Sequence, residues 1–216
     1  GLTYTVTLKN KIYWSDGEKV TADDVIFTIG LAKNPLVGSP RRANWEGVSV
    51  EKTEDGAVRF HLQKAYAPFL ENLTMGILPE HLWSDIPPSQ VSLAELNTNP
   101  VGAGPYKLNS ISRDSLGSIV AAELTANKYF VLGRPHIKTL SLKFYANEEA
   151  ALKDLQSGFV DAYGALSPKN VSKLGERIKI EQAPLERIIA VFLNQGSQKL
   201  FASSDVRKAL NLSVDK

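Results

Sequence analysis

Cysteine is absent from the 216 residues of this sequence, and histidine and methionine are scarce, at three residues and one. The chain therefore has no disulfide bond and no thiolate with which to bind a metal ion. The three histidines, His61, His81 and His136, lie far apart in the sequence, and no two of them share the helical spacing of a metal-binding pair. We expect no metal site and no cofactor.

Long apolar runs and a dominant charge sign are missing as well. The longest apolar run, Ile188–Leu193, has the length of a buried strand and falls far short of the roughly 20 residues that a membrane-spanning helix needs. The 25 basic and 23 acidic residues are interspersed and give a net charge of +2. Because no basic stripe follows a phosphate backbone, the sequence predicts neither a nucleic-acid partner nor a transmembrane segment.

The common sequence signatures of catalysis do not occur either. There is no G-x-S-x-G nucleophile turn and no dinucleotide fingerprint, and the Gly102–Gly104 run lacks the lysine and the helix of a phosphate-binding loop. The carboxylate pairs stand at expected helix starts and turns, where capping and the helix dipole favour them. We therefore name no catalytic residue and interpret the chain as a protein that is not an enzyme.

The first half of the sequence does contain clear signals of secondary structure. Residues 2–8 alternate apolar and polar as a half-buried strand does. Thr21 and Asp24 form a capping box that predicts a helix from Ala22 to Lys33. Further elements are expected as a hairpin of strands near 48–50 and 58–62 around Asp55-Gly56, short helices after Pro68 and Pro79, and a capping box from Ser92 to Glu95.

The second half predicts an α/β arrangement. Residues Asn99–Leu108, with two glycines and two prolines, predict a rigid turn that leads into a strand near Tyr106. The strand, helix and strand that follow favour a crossover onto a parallel or mixed sheet. The elements expected beyond Leu108 are strands near 119–124, 140–145, 159–162, 178–180 and 188–193, and helices over 147–157, over 169–174 and from an N-cap at Asp205.

Two places in the chain are candidates for ligand contact. Trp45, beside a loop with proline, glycine and arginine, is either a core anchor or the aromatic wall of a ligand site. Met75-Gly76, between two proline-started turns, either fills an irregular gap or lines an adaptable pocket. The residues alone leave these alternatives open.

Short motifs follow one another in a fixed order along nearly the whole chain. They are Trp14–Gly17 with Thr21–Val25, Ala67–Leu70, Ile77–Pro79, Asn99–Tyr106, Asn127–Tyr129 with Arg134-Pro135, Ala150–Ala162, Phe192–Asn194 and Asp205–Leu210. As an ordered set they resemble the family 5 extracellular solute-binding proteins, the peptide- and nickel-binding receptors of ABC importers.

This resemblance implies the fold class and the domain organisation. It implies a mixed α+β protein of the type II periplasmic-binding-protein class, with a mixed sheet and flanking helices. Residues 1–190 would form most of the first of two lobes, and residues 191–216 the hinge crossing and the start of the second. The sequence begins within a strand pattern and stops within a helix pattern, so we interpret it as a segment of a longer chain, truncated at both ends.

The resemblance also implies where a ligand is held and which partners take part. The ligand-binding residues would be Asn44, Trp45, Thr74, Met75 and Gly76, and the hinge would be formed by Phe192, Leu193 and Asn194. The protein would capture an oligopeptide or another small solute between two lobes and deliver it to the membrane subunits of an ABC importer. It would be periplasmic or extracellular, with a lipid anchor as one form of attachment.

Two other functions stay open at this point. The same fold serves as the ligand-sensing domain of transcription regulators, in which a helix-turn-helix precedes it. A hydrolase or other enzyme whose catalytic residues lie outside these 216 residues is the second alternative. The sequence does not choose among peptide, nickel chelate, heme, sugar and antibiotic ligands.

Overall fold

The computed structural model describes residues 1–164, 166–175, 177–183 and 190–213. The chain divides into two compact units, Gly1–Ala151 and Leu152–Lys216. No helix within the described ranges is both long and apolar enough to cross a membrane.

The strands are β1 (Thr3–Val6), β2 (Val48–Lys52), β3 (Val58–Leu62), β4 (Tyr106–Arg113), β5 (Ile119–Ala126) and β6 (Thr139–Lys143). The α-helices are α1 (Ala22–Lys33), α2 (Phe69–Asn72), α3 (Glu80–Trp83), α4 (Glu148–Ser157) and α5 (Ser204–Leu212). Short 3₁₀ turns occupy Pro35–Val37, Arg42–Trp45, Pro88–Leu93, Glu95–Asn97, Pro168–Lys173 and Lys199–Ala202.

The first sheet of the first unit has the strand order β1-β3-β2, and both pairs of neighbours are antiparallel. Its hairpin turns at Gly56, whose φ of 79° is the left-handed conformation that glycine adopts without strain. In the central strand β3, Val58, Phe60 and Leu62 are buried on one face, as their alternation predicts. The predicted hairpin is therefore confirmed.

Helix α1 begins and ends at the predicted residues. Thr21 Oγ1 accepts the backbone N–H of Asp23, and the Asp24 carboxylate accepts the N–H of Thr21 at 2.7 Å, so the capping box is present. At the other end Asn34 has an extended backbone and precedes Pro35, which has no N–H with which to continue the helix.

The core of the first unit is built around α1, the first sheet and three aromatic rings. Phe60 of β3, Phe69 of α2 and Trp45 of a 3₁₀ turn are each 1–2% exposed. Their ring centroids lie 5.5 to 6.2 Å apart, which is the range of favourable aromatic pairs. Because Trp45 and Phe69 are fixed in this core, the surface residues beside them are held in place as well.

The second sheet has the order β4-β5-β6 and is also antiparallel. Leu108, Leu124 and Leu140 lie opposite one another in register and form an apolar row across one face. These three leucines are only half-buried, and Ala126 is the one residue of these strands below 9% exposure. The apolar face of this sheet is thus covered less completely than that of the first.

The predicted mixture of helices and sheets is present, but the predicted crossover onto a parallel or mixed sheet is not found among the described strands, which all pair antiparallel. Residues 159–162, predicted as the strand after α4, form no strand. Instead, the carbonyl of Asp154 accepts the N–H groups of Phe159 at 2.8 Å and Val160 at 3.4 Å around the left-handed Gly158. These hydrogen bonds cap the C-terminal end of α4, and they use the N–H groups of Phe159 and Val160 that would otherwise pair with a neighbouring strand.

Two further predicted strands are wrong in the second unit. The N–H of Ile178 donates to the Gly175 carbonyl, so residues 178–180 follow a turn and no strand. Of the run 188–193, residues 188 and 189 lie outside the described ranges, and 190–193 form no strand, with Val191 84% and Phe192 94% exposed. A strand requires a neighbour, and the described part of this unit contains none.

Two predicted caps are also displaced. Ala94 has an extended backbone that separates two 3₁₀ turns, so Ser92 and Glu95 fall on different turns and form no capping box. At α5 the N-cap position is Ser203, and Asp205 lies in the first turn, where its charge still complements the helix dipole. The helix predicted over 169–174 is present as the 3₁₀ turn at Pro168–Lys173.

Candidate functional site

Asn44 of one predicted ligand segment pairs with Asn72, which lies just before the other predicted segment, Thr74–Gly76. The Asn44 side-chain amide donates to Asn72 Oδ1 at 3.0 Å, and the Asn72 amide donates to the Asn44 carbonyl at 3.2 Å. Asn44 is exposed, whereas Asn72 is 7% exposed. Because a buried amide needs partners, this reciprocal pair fixes the turn that contains Asn44 against α2.

The segment Thr74–Gly76 follows Asn72 directly and is held at both of its ends. The N–H of Met75 donates to the Asn72 carbonyl at 3.2 Å. At the far end, the N–H of Leu78 donates to the buried Thr28 hydroxyl of α1 at 2.8 Å. Thr74 and Gly76 are exposed, and Met75 is half-buried. The segment is therefore a surface loop with fixed ends.

A third anchor of this loop is the carboxylate of Asp24, which is 4% exposed. One oxygen accepts the N–H of Thr21 within the capping box, and the other accepts the N–H of Glu80 at 2.8 Å. A single buried carboxylate thus caps α1 and ties it to the start of α3. The hydrogen bonds also compensate for the cost of burying its charge.

A cavity of about 500 Å³ opens beside Asn44 and Asn72. Its wall includes one acid, Glu46, and one base, Lys64, together with the rings of Tyr66 and Phe69. Amides, one charge of each sign and aromatic surface are suited to a ligand with a peptide-like mixture of polar and apolar groups. The volume also leaves room for water between the wall and a ligand.

Trp45 and Met75 lie on the inner side of these segments. Trp45 is 2% exposed and packs against Phe60 and Phe69, so it is a core anchor in this structure. Both Trp45 and Met75 border an apolar cavity of about 240 Å³ next to Asn72. Met75 also packs against the core, as expected of a residue that fills irregular gaps. Their role toward a ligand stays a prediction.

The predicted hinge residues belong to the second unit. Phe192 is 94% exposed and Leu193 is half-buried. Asn194 Oδ1 accepts the N–H groups of Gly196 at 3.0 Å and Ser197 at 3.1 Å, which makes Asn194 the start of a tight turn. Their hinge function also stays a prediction.

Three turns of the first unit that were not predicted to meet lie together, and we call them the turn cluster: Trp14–Gly17, Gly102–Pro105 and Asn127–Tyr129. Asn127 is 1% exposed, donates to the Gly104 carbonyl at 2.9 Å and accepts the N–H of Tyr129 at 3.0 Å. The N–H of Ser15 donates to the Gly102 carbonyl at 2.9 Å. The glycines and prolines of residues 99–108 indicate a rigid turn in the sequence, but the sequence does not show that this turn is hydrogen-bonded to Ser15 and Asn127.

Gly17 is a point of close approach within the turn cluster. Its φ is 106°, and a Cβ built on it would lie 3.2 Å from the Tyr129 hydroxyl oxygen. Both the backbone conformation and the available space therefore favour glycine. This contact brings together two motifs that are far apart in the sequence.

Two carboxyl groups with a lowered pKa, Asp16 and Glu51, pair with histidines near the surface. Burial raises the pKa of Asp16, but hydrogen bonds from His81 at 2.9 Å and from the N–H of Glu18 outweigh it and lower that pKa below its ordinary value of 3.8. A hydrogen bond from His61 lowers the pKa of Glu51. In the described ranges, no group of three or more histidine, aspartate or glutamate side chains is placed to hold a metal ion.

Comparison with known proteins gives one consistent result. The model of the bacterial extracellular solute-binding proteins, family 5 Middle, matches residues 1–216. A protein of Brucella ovis named as an ABC transporter peptide-binding protein is 36% identical over 160 residues, which is 73% of this chain and 29% of that protein. The oligopeptide-binding protein AppA of Bacillus subtilis is 29% identical over 222 residues, which is all of this chain and 40% of AppA.

Solved structures agree with this result. AppA of Bacillus subtilis in complex with a nonapeptide matches with a TM-score of 0.67 and 30% identity, over 74% of this chain and 32% of AppA. NikZ from Campylobacter jejuni in complex with Ni(L-His) matches with a TM-score of 0.66 and 33% identity, over 74% of this chain and 31% of NikZ. The chain thus spans less than half the length of each relative.

Proposed function

Because this chain belongs to the bacterial extracellular solute-binding proteins of family 5, we propose that it is part of the substrate-binding component of an ABC importer. In this proposal the protein captures an oligopeptide or a related small solute in a cleft between two lobes. Residues 1–190 supply most of the first lobe, and residues 191–216 supply the hinge crossing and the start of the second.

The observation that carries the proposal is the reciprocal Asn44–Asn72 pair. It joins the turn Arg42–Trp45 to helix α2 beside a cavity of about 500 Å³, and the loop Thr74–Gly76 follows shortly after α2. A binding protein that accepts varied side chains needs fixed polar groups for the ligand backbone and a roomy, hydrated pocket for the rest. Asn44, Thr74 and Gly76 are exposed, as groups that contact a ligand must be.

Release of the bound ligand from the full-length protein gives the first test. Native mass spectrometry before and after mild denaturation should show the loss of a set of short-peptide masses. A single mass of a metal chelate or a sugar would keep the binding role and change the ligand class. Recovery of no bound ligand, together with no calorimetric binding of a peptide library, would contradict the proposed function.

A substitution tests whether the predicted segments contact the ligand. In Asn44→Ala the side-chain amide and its hydrogen bond to Asn72 Oδ1 are lost, while the Asn44 backbone carbonyl to which Asn72 donates remains. We expect peptide affinity to fall about tenfold, since one hydrogen bond in a desolvated site contributes about 1–1.5 kcal/mol. Asn109→Ala, which changes an exposed asparagine of β4, is the matched control and should leave affinity unchanged. Equal affinities of both variants and the parent would remove Asn44 from the site.

The remaining parts of the proposal concern partners and location. The importer's membrane subunits would recognise the closed form, which a ligand stabilises through contacts to both lobes. A hinge at Phe192–Asn194 would permit this closure. The protein would act in the periplasm or outside the cell, in agreement with the family's extracellular description, with a lipid anchor as one form of attachment.

We also propose that the protein has no catalytic activity. The histidines His61 and His81 are hydrogen-bonded to Glu51 and Asp16 near the surface, where such pairs are common without catalysis. A panel of ester and peptide substrates should show no turnover by the full-length protein above the rate of a heat-denatured sample. Saturable turnover would contradict this statement.

A further inference from the structure

Another cavity in the first unit, of about 330 Å³, is lined by three cations from three segments of the chain. Lys107 belongs to β4, Lys128 to the turn after β5, and Arg134 to the loop before β6. The other lining residues are Ser15, Thr125, Ala126 and Asn127. We call this the cationic cavity, because its lining contains no carboxylate.

The charges of these three residues are not neutralised within the part of the chain that the structure describes. The ion pairs found there involve other cations, and none of the three lies within 4.0 Å of a carboxylate oxygen. Lys128 Nζ lies 4.6 Å from the centroid of the Tyr129 ring. This cation–π contact orients the ammonium group but leaves its positive charge in place.

The carboxylates nearest in sequence to the lining residues are engaged elsewhere. Asp16 accepts a hydrogen bond from His81 at 2.9 Å. Glu123, on β5, accepts one from Asn109 at 2.6 Å. Both acids therefore have partners outside the lining of the cationic cavity.

The frame of the cavity is rigid. Asn127 is 1% exposed and its side chain is bonded to the Gly104 carbonyl and to the N–H of Tyr129. Ser15 is joined to the Gly102 carbonyl through its N–H at 2.9 Å. These hydrogen bonds fix the backbone frame of the site, so that ligand binding has to order chiefly the exposed side chains of Lys107, Lys128 and Arg134.

We propose that the cationic cavity binds a phosphate group. A phosphate carries up to two charges and several acceptor oxygens, which suits three cations and the hydroxyl donors of Ser15 and Thr125 better than a single carboxylate does. The planar guanidinium of Arg134 matches two phosphate oxygens, while Lys107 and Lys128 act as point charges. The phosphate is that of a free anion or of a phospholipid headgroup, and the site is separate from the one proposed for the transported solute.

The first experiment measures inorganic phosphate binding to the full-length protein by NMR at constant ionic strength. Phosphate should cause saturable shifts of the backbone amides of Ser15, Thr125 and Asn127. Lys107→Gln and Arg134→Gln should each weaken binding about tenfold or more, because each removes a charge-assisted hydrogen bond.

A matched control separates this site from general charge effects. Lys9→Gln removes the same charge from an exposed lysine that does not line the cavity, and it should leave phosphate binding unchanged. Lys107→Arg keeps the charge and should retain binding, which distinguishes lost recognition from a folding defect. Shifts that do not saturate, or equal weakening by Lys9→Gln and Lys107→Gln, would overturn the proposal unless the vesicle measurement supports it.

A second measurement identifies the source of the phosphate. Vesicles of phosphatidylcholine with phosphatidylglycerol are sedimented with the protein and compared with vesicles of phosphatidylcholine alone. Sedimentation that requires phosphatidylglycerol, and that is lost in Lys107→Gln and Arg134→Gln but not in Lys9→Gln, would assign the site to a lipid headgroup. Binding of inorganic phosphate without sedimentation would assign it to a soluble ligand. The absence of both would overturn the proposal, whereas peptide binding would be unaffected.

Discussion

The two sheets of the first unit have similar alternating sequences but bury their apolar residues to different extents. In the first sheet, Val58, Phe60 and Leu62 are 1–8% exposed. In the second, Leu124 is half-buried and Leu142 is 44% exposed. The difference arises because α1 and α2 bring large side chains to the first sheet, among them Ile29 and Phe69.

The proposed sites rely on these two regions in different ways. The Asn44 turn is held by aromatic packing, since its neighbour Trp45 is part of the core. The cationic cavity, beside the second sheet, is framed by the hydrogen bonds of Asn127. Packing therefore positions the proposed solute site, and the side-chain hydrogen bonds of Asn127 position the proposed phosphate site.

The largest expected effect is on the free energy of unfolding, when a large apolar side chain is truncated to alanine in each sheet. Phe60→Ala should lower the free energy of unfolding by about 3–5 kcal/mol, because a fully buried aromatic ring is removed from a packed cluster. Leu124→Ala should cost only about 1–2 kcal/mol, since the leucine is already half in contact with water. Urea unfolding followed by circular dichroism measures both values. Equal losses would mean that the second sheet is as well packed as the first.

The next effect concerns the buried carboxylate beside the predicted ligand loop. Asp24→Ala leaves the N–H groups of Thr21 and Glu80 without their acceptor and should cost about 2–3 kcal/mol. The adjacent Asp23→Ala is the control and should cost less than about 1 kcal/mol, because its ion pair with Lys52 is exposed. If the two variants lost equal stability, Asp24 would not be an anchor of α1 and α3.

A smaller effect is expected in the turn cluster. Asn127→Ala removes the side-chain bonds to Gly104 and Tyr129 and should cost about 1–2 kcal/mol. Hydrogen exchange of residues 102–106 should become faster, while exchange in β3 stays slow. Asn109→Ala, at an exposed asparagine of β4, should change stability by less than about 0.5 kcal/mol. Faster exchange in both sheets would contradict the separation of the two regions.

Local signals made part of this structure predictable. The limits of α1 follow from Thr21, Asp24 and Pro35, which all act within one helical turn of the residue that they cap or stop. The hairpin at Gly56 follows from its turn chemistry in the same way. In each case the residues that decide the structure are neighbours in the sequence.

Features that depend on distant partners were not predictable. The strands expected at 159–162 and 178–180 have suitable side chains, but no neighbouring strand is present for them in the described second unit. The Asn44–Asn72 pair joins residues 28 positions apart. An asparagine inside an apolar segment, as at Asn72, indicates a buried amide with a partner, but its identity comes only from the fold.

The smallest predicted effect concerns the Asp16–His81 bond, which ties the turn cluster to α3. The folded-state pKa of Asp16 lies below its ordinary value of 3.8, because the hydrogen bonds from His81 and the N–H of Glu18 outweigh desolvation. A carboxyl group with a lowered pKa stabilises the fold above its unfolded pKa and loses this contribution as the pH falls through the folded value.

Because the pKa of Asp16 is lowered in the folded state, the link between the turn cluster and α3 can be tested by its dependence on pH. Near neutral pH, Asp16→Asn should lower the free energy of unfolding by a few tenths of a kcal/mol, a value kept small because both side chains are about one-third exposed. The difference should shrink once the pH falls below about 4, where the parent carboxylate also becomes protonated. His81→Ala, which removes the other partner of the hydrogen bond, should cause a similar loss. A difference that stayed constant down to pH values well below 4 would show that the charge of the Asp16 carboxylate does not stabilise the link between the turn cluster and α3.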